Sequence, residues 1–181
     1  MSEYFLEAIN ISKAFQGVQA LKNVDFRIRQ GESYCLVGEN GCGKSTLIKV
    51  ISGVHKPDEG SILVDNVRYE ALRPKEAISH GINVIYQDFS LFPNLTVAEN
   101  IAVENNISKG YKFANKKRDY DIAESALERI GVSIDLSRYV RDLAVAQRQI
   151  VAICRALTQT AKLVIMDEPT TSLTDVEIEN I

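Results

Sequence analysis

Residues 38–46 read Gly38-Glu39-Asn40-Gly41-Cys42-Gly43-Lys44-Ser45-Thr46, a complete G-x-x-x-x-G-K-[ST] pattern. The chemistry it offers is capture of phosphate. Glycines at 38, 41 and 43 let the main chain turn its N–H groups inward around an anion. A helix beginning near Lys44 would aim the positive end of its dipole at the same point. Lys44 would reach the β- and γ-phosphates, and the Ser45 hydroxyl would help hold Mg²⁺. The pattern predicts a site for ATP or a similar nucleoside triphosphate. A glycine-rich turn with an incidental lysine is the competing reading, and the flanks argue against it. Tyr34-Cys35-Leu36-Val37 predicts a strand leading in, and Leu47-Ile48-Lys49-Val50-Ile51 predicts a helix leading out.

A second cluster lies near the end of the chain. Lys162-Leu163-Val164-Ile165-Met166 predicts a buried strand that stops at Asp167-Glu168-Pro169. Opposite a phosphate loop, Asp167 would take a Mg²⁺ position, directly or through water, and Glu168 would polarise the attacking water. Taken alone, an Asp-Glu pair after a strand is more often a surface turn.

The elements that must position these residues are also legible. Segments near 4–11, 22–29 and 61–67 alternate polar and apolar side chains, as half-buried strands do. Gly31-Glu32 and Pro57-Asp58-Glu59-Gly60 are turn signals. Gly81 to Tyr86 predicts another strand, ending at Gln87-Asp88. From about 96 to 160 the character changes to helical spacing, for example Ile122, Ala123, Ala126, Leu127 and Ile130. The charged run Asn115-Lys116-Lys117-Arg118-Asp119 predicts a solvated helix start. The expected fold is an α/β lobe on a mostly parallel sheet, with a helical insertion between the Gln87 strand and the Asp167 strand.

Composition bounds the rest. At 181 residues the chain suits one domain, or one lobe with a small appendage. A net charge of −3 supplies no basic footprint, so no nucleic acid is expected as a partner. The first residues lack a basic region followed by an apolar one, so no secretory signal is read there. No apolar run approaches the roughly 18 residues that span a bilayer, so any membrane part would come from a partner. Cys35, Cys42 and Cys154 are odd in number and lack metal-ligand spacing, which fits a reducing cytosol. Cys35 and Cys154 are expected to pack as small apolar residues, whereas Cys42 sits in the phosphate loop beside Lys44, where alkylation would block nucleotide.

Five stretches together resemble the ATP-binding-cassette (ABC) ATPases, particularly the nucleotide-binding subunits of bacterial sugar importers. They are Ile11 to Leu21, the phosphate loop, Val84-Ile85-Tyr86-Gln87-Asp88, Asp142-Leu143-Ala144-Val145-Ala146-Gln147-Arg148-Gln149, and Leu163 to Asp175. The fourth is the most specific, because it resembles the family's signature and precedes a helix ending in Arg155-Ala156-Leu157. The resemblance implies a P-loop NTPase fold with an N-terminal antiparallel β subdomain. It also implies a partial cassette, with an ATPase core over about 1–95 and 160–181 and a helical subdomain over about 96–159.

Several roles follow from that resemblance. Residues Gly38 to Thr46 bind ATP, and Phe15 stacks on adenine, a packing phenylalanine being the alternative. Gln87 joins Ser45 and Asp167 around Mg²⁺ and takes part with Lys44 and Glu168 in hydrolysis; otherwise it is a surface glutamine after a strand. Ser90 to Val97 would dock a membrane-domain helix, and Ser172-Leu173-Thr174-Asp175 would lie across a dimer interface. The implied partners are a second cassette, fused in the full-length protein, transmembrane permease subunits and, indirectly, an extracytoplasmic solute-binding protein. The implied location is peripheral, on the cytoplasmic face of the membrane. The solute itself is not encoded here.

Two departures stand out. Ala144 occupies a position where the family usually has serine, whose hydroxyl grips the γ-phosphate held by the opposite cassette. Its loss removes a hydrogen bond to a charged group, worth about 1.5–3 kcal/mol, and a helix cap worth about 0.5–2 kcal/mol; these overlap, since one hydroxyl supplies both. ATP held by the partner would therefore turn over more slowly, unless alanine is simply tolerated. The second departure is the missing switch histidine: His55 and His80 both precede Asp167, so neither can fill that role. The expectation is a truncated N-terminal cassette that binds nucleotide more readily than it hydrolyses it. The alternatives are a soluble cassette ATPase acting on ribosomes or nucleic acid, and a binding module without turnover.

Overall fold

The computed structural model describes residues 3–86, 90–111, 113, 115–158 and 161–167. Gln87, Asp88, Glu168, Pro169 and the Ser172 to Asp175 stretch lie outside the described residues. The chain divides into two units, residues 1–83 and 84–181.

The first unit is built on an antiparallel sheet in the order β2-β1-β3-β4. Strands β1 (Tyr4–Phe15) and β2 (Val18–Arg29) form a hairpin closed at Phe15↔Val18. Gln16 and Gly17 make its two-residue turn, both with positive φ (46° and 86°), the geometry that matches the twist of paired strands. Strand β3 (Glu59–Val64) pairs with the other edge of β1, and β4 (Val67–Tyr69) returns along β3. Leu6, Ala8, Ile11, Ile62 and Val64 are fully buried, so the alternating pattern read from the sequence marks a real core face. One boundary differs from the reading. The segment near 61–67 is not a single strand, because Asp65 and Asn66 adopt positive φ (48° and 66°) and turn the chain between β3 and β4.

Helix α1 (Lys44–Ile51) starts where the motif required, and α2 (Pro74–Ser79) follows β4. The strand expected at Tyr34-Cys35-Leu36-Val37 is not found. Residues 32–39 carry no strand, and Tyr34, Leu36 and Val37 are exposed, Val37 by 85%. An apolar run becomes a strand only when a neighbour supplies ladder hydrogen bonds, and this one belongs to neither sheet of the described residues. Tyr34 instead meets the Phe26 ring edge-on, with centroids 5.5 Å apart. Cys35 is exposed with it, contrary to the expectation that it packs.

The division between the units falls inside β5 (Ile82–Ile85), which pairs with β6 (Leu163–Met166) in a two-stranded sheet. Strand β6 is half-buried along its length, not fully buried as the sequence suggested. Between them lie α3 (Val97–Ser108), α4 (Lys116–Arg129), a 3₁₀ turn (Val140–Asp142) and α5 (Val145–Leu157). Their common core contains Val97, Ile101, Ala123, Leu127, Ile150 and Val151. Thr96 caps α3: its Oγ1 accepts from Glu99 N–H (3.3 Å), and its own N–H donates to Glu99 Oε2 (2.7 Å). Asn115 caps α4 by accepting from Arg118 N–H at 3.1 Å, so the charged run there is a helix start as expected. No described helix is long and apolar enough to cross a membrane.

Candidate functional site

The phosphate-type loop gathers around Lys44. Its ammonium donates to the carbonyl oxygens of Gly38 (2.6 Å) and Glu39 (2.9 Å), folding the side chain back across residues 38–43. Cys42 Sγ lies 3.9 Å from the same nitrogen, and Cys42 N–H donates to Glu39 O (3.3 Å) to close the turn. Gly43 is the N-cap of α1 in left-handed conformation (φ 98°), and no side chain caps the helix. A Cβ at Gly43 would lie 2.5 Å from Ala20 O on β2, so glycine is required there both for φ and for room. Gly41 also has positive φ, but Gly38 does not; at Gly38 a Cβ would meet Cys42 Sγ at 2.7 Å. Thus Gly38 serves close approach and not the unusual dihedral read from the sequence.

This arrangement suits an anion. The first turn of α1 contains no acidic residue, its start lacks a side-chain cap, and a lysine ammonium stands at its mouth. Glu39, Asn40 and Ser45 are exposed and Thr46 is half-buried, so a ligand can reach the loop. The hydroxyl of Ser45, in the first unit, and the carboxylate of Asp167, in the second, are each hard oxygen donors of the kind Mg²⁺ takes. Asp167 belongs to the second unit, where it follows β6, is half-buried and donates its N–H to Ile85 O (3.0 Å). Gln87 and Glu168 are outside the described residues.

Phe15, at the last position of β1, is 40% exposed, which leaves ring surface available for stacking. Its neighbours were not anticipated. His55 meets the ring at 63° with centroids 5.1 Å apart, and Lys13 Nζ lies 5.5 Å from the ring centroid. Asp58 holds that lysine through a 2.7 Å ion pair and also accepts from Ala14 N–H at 2.8 Å. The hydrogen bond from Lys13, then that from Ala14, keeps the Asp58 carboxyl below its usual 3.8. In the sequence Asp58 was only part of a turn signal, and Lys13, two residues before Phe15 on an alternating strand, was the one available hint.

In the second unit, the segment after residue 89 is tied to helices. Buried Asn100 accepts from Phe92 N–H (2.9 Å) and donates to Phe92 O (3.0 Å) and Thr96 O (3.1 Å). Arg155 donates to Ser90 O (3.0 Å) and pairs with Glu104 (3.4 Å). Phe92 is exposed while Val97 is fully buried, so only part of the Ser90 to Val97 stretch offers apolar surface. Ala144 is the N-cap of α5 with no side-chain bond to give; its N–H donates to Gln147 Oε1 at 3.4 Å. Cys154 is fully buried, and burial pushes its thiol up to about 12.

Comparison with known proteins identifies the family and the fold. The ABC transporter family profile matches residues 21–171. The ribose import ATP-binding protein RbsA of Clostridium perfringens (strain SM101) is 46% identical over 179 residues, covering 97% of this chain and 35% of that protein. A putative ribose/galactose/methyl galactoside import ATP-binding protein of Agrobacterium fabrum is 47% identical over 168 residues, 93% of this chain and 33% of the relative. The xylose import ATP-binding protein XylG of Geobacillus kaustophilus is 40% identical over 183 residues, 100% of this chain and 36% of the relative. The chain thus spans about a third of the length of these curated relatives. Among solved structures, a dimeric bacterial ABC transporter cassette superposes with a TM-score of 0.84 at 28% identity, over 97% of this chain and 79% of that one. A post-hydrolysis cassette dimer bound to ADP and Pi gives 0.81 at 28% identity, with the same coverage. With the P-loop NTPase fold, the antiparallel N-terminal sheet and this degree of identity, the chain belongs to the ABC transporter family.

Proposed function

We propose that this chain is the ATP-binding and ATP-hydrolysing part of a cassette protein that drives import of a small solute, a sugar, through a membrane transporter. The observation that carries the reading is Lys44 folded across the loop carbonyls at the uncapped start of α1. The names of the relatives supply the import assignment and favour it over a ribosome- or nucleic-acid-directed ATPase.

In the reaction, Lys44 exchanges its carbonyl contacts for β- and γ-phosphate oxygens, which charge-assisted bonding favours. N–H groups of residues 39–46 complete the phosphate cradle, and Phe15 receives the adenine. Ser45, Asp167 and Gln87 would hold Mg²⁺, which would supply neutralisation of the phosphate charge. Glu168 orients and polarises the attacking water. The same reading takes about 1–95 and 160–181 as the ATPase core and about 96–159 as the helical subdomain. It pairs the chain with a second cassette and with permease subunits docked near Gln87 and Phe92, an extracytoplasmic binding protein acting through the permease. It places the protein peripherally on the cytoplasmic face of the membrane.

Calorimetric titration of MgATP into the chain and into Lys44→Ala tests the binding half. The variant is expected to bind about 10- to 100-fold more weakly, from the loss of a hydrogen bond to a charged group. Equal affinity would remove residues 38–46 from the site. Turnover of the wild-type protein against Glu168→Gln tests the hydrolytic half, and equal rates would overturn the role given to Glu168.

A further inference from the structure

The Phe15 ring is surrounded by groups that no part of the phosphate chemistry uses. Lys13 comes from β1 itself, and His55 and Asp58 from the segment that follows α1, the helix whose other end carries the phosphate loop. His55 N–H donates to Lys49 O (2.9 Å), Pro57 is buried, and Asp58 N–H donates to Ser12 O (2.9 Å) on β1. The segment is therefore anchored at both ends, and His55 is presented to Phe15 by fixed backbone. Its imidazole meets the phenyl ring at 63° and 5.1 Å, an edge-to-face pair. Lys13, itself held by Asp58, brings a cation to 5.5 Å from the same ring centroid. An aromatic side chain at a hairpin end that is 40% exposed would otherwise sample several χ orientations.

We propose that His55 is a positioning residue for the nucleotide base: its imidazole ring, with the Asp58-held Lys13, fixes the Phe15 ring in the orientation on which the base stacks. The proposal rests on the reading of the phosphate loop and Phe15 as an ATP site. The physical reason is preorganisation. A ring already held in its stacking orientation does not lose rotamer freedom when the base arrives, so the base contributes more of its stacking energy to affinity. The device also connects the two ends of one ligand, because α1 presents its first turn to phosphate and the segment after its last turn to Phe15.

The test separates base from phosphate. The chain is titrated with MgATP and, separately, with magnesium tripolyphosphate, which keeps the phosphates and lacks the base. His55→Ala is expected to weaken MgATP binding about two- to tenfold, the worth of one aromatic pair, and to leave tripolyphosphate affinity unchanged. His55→Phe, which retains a ring edge, is expected to restore ATP affinity. In a Phe15→Ala background, His55→Ala is expected to have no further effect. Unchanged ATP affinity in His55→Ala, or equal weakening of both ligands, overturns the proposal. Retained tripolyphosphate binding reports that the variant is folded. If wild-type chain binds neither ligand, or Lys44→Ala binds both as well as wild type, the nucleotide reading itself falls, and the proposal with it.

Discussion

Helices α1 and α5 both begin without a side-chain oxygen at the cap position, yet they are open for different reasons. At α1 the cap is Gly43 in left-handed conformation, pressed so close to Ala20 O that no Cβ fits, with a lysine ammonium beside it. At α5 the cap is Ala144 in ordinary extended conformation, supported only by the Gln147 contact to its N–H. Helices α3 and α4 are conventionally closed by Thr96 and Asn115. The start of α1 therefore combines backbone, glycine and charge in a way that suits an anion. That of α5 keeps only the helix dipole and backbone donors that a serine hydroxyl would have joined.

The comparison can be broken most severely at Gly43. Gly43→Ala forces a Cβ to 2.5 Å from Ala20 O at a φ of 98°. It is expected to destabilise the first unit by about 2–6 kcal/mol, read as a lower urea midpoint; a change within error would show that the loop is not constrained by β2. Next comes the loop's charge environment. With Cys35 replaced by serine, iodoacetamide is expected to modify exposed Cys42 and to spare buried Cys154, whose thiol stays protonated with its pKa near 12. Labelling at Cys42 is expected to weaken MgATP binding about tenfold or more by displacing Lys44; full binding after stoichiometric labelling would separate the thiol from the site.

At α5 the corresponding change is a gain. Ala144→Ser is expected to stabilise the helix by about 0.5–2 kcal/mol, visible as a higher Tm; no gain would mean that the Gln147 contact already closes the helix. The smallest effect concerns Asp58. Its folded carboxyl titrates below the ordinary 3.8 because Lys13, and then Ala14, donate to the ionised form. The stability it adds is complete above the unfolded value and is lost as pH falls through the folded one. Wild type and Asp58→Asn are therefore expected to differ in urea midpoint above the ordinary carboxyl value of 3.8 and to converge as pH falls below it. Parallel curves would show that Asp58 is not coupled to folding.

Much of this was legible in residue order. The spacing of Gly38, Gly43 and Lys44 located the start of α1. Alternation located β1, β2 and β3, and helical spacing located α4. Those signals are local, because a capping geometry or an apolar face is written within one element. Readings that depended on a distant neighbour fared worse. Tyr34 to Val37 has the apolarity of a strand and carries no ladder, and Cys35 is exposed with it. Leu163 to Met166 forms its strand but is only half-buried. The Asp65-Asn66 turn lies inside an alternating stretch, and the pair's Asx chemistry is its local signal.

The sequence by itself determined the phosphate loop, its helix and the missing hydroxyl at Ala144, since each follows from which atoms stand at fixed offsets along one backbone. Only the tertiary structure decided that Lys44 folds onto Gly38 and Glu39, that Gly43 is wedged against β2, and that His55 meets the ring of Phe15 while Asp58 holds Lys13 near it. His55 and Phe15 lie 40 residues apart in the chain and 5.1 Å apart as ring centroids. Their meeting is set by the pairing of β1 with β3 and by the segment folded between them, which no local pattern encodes.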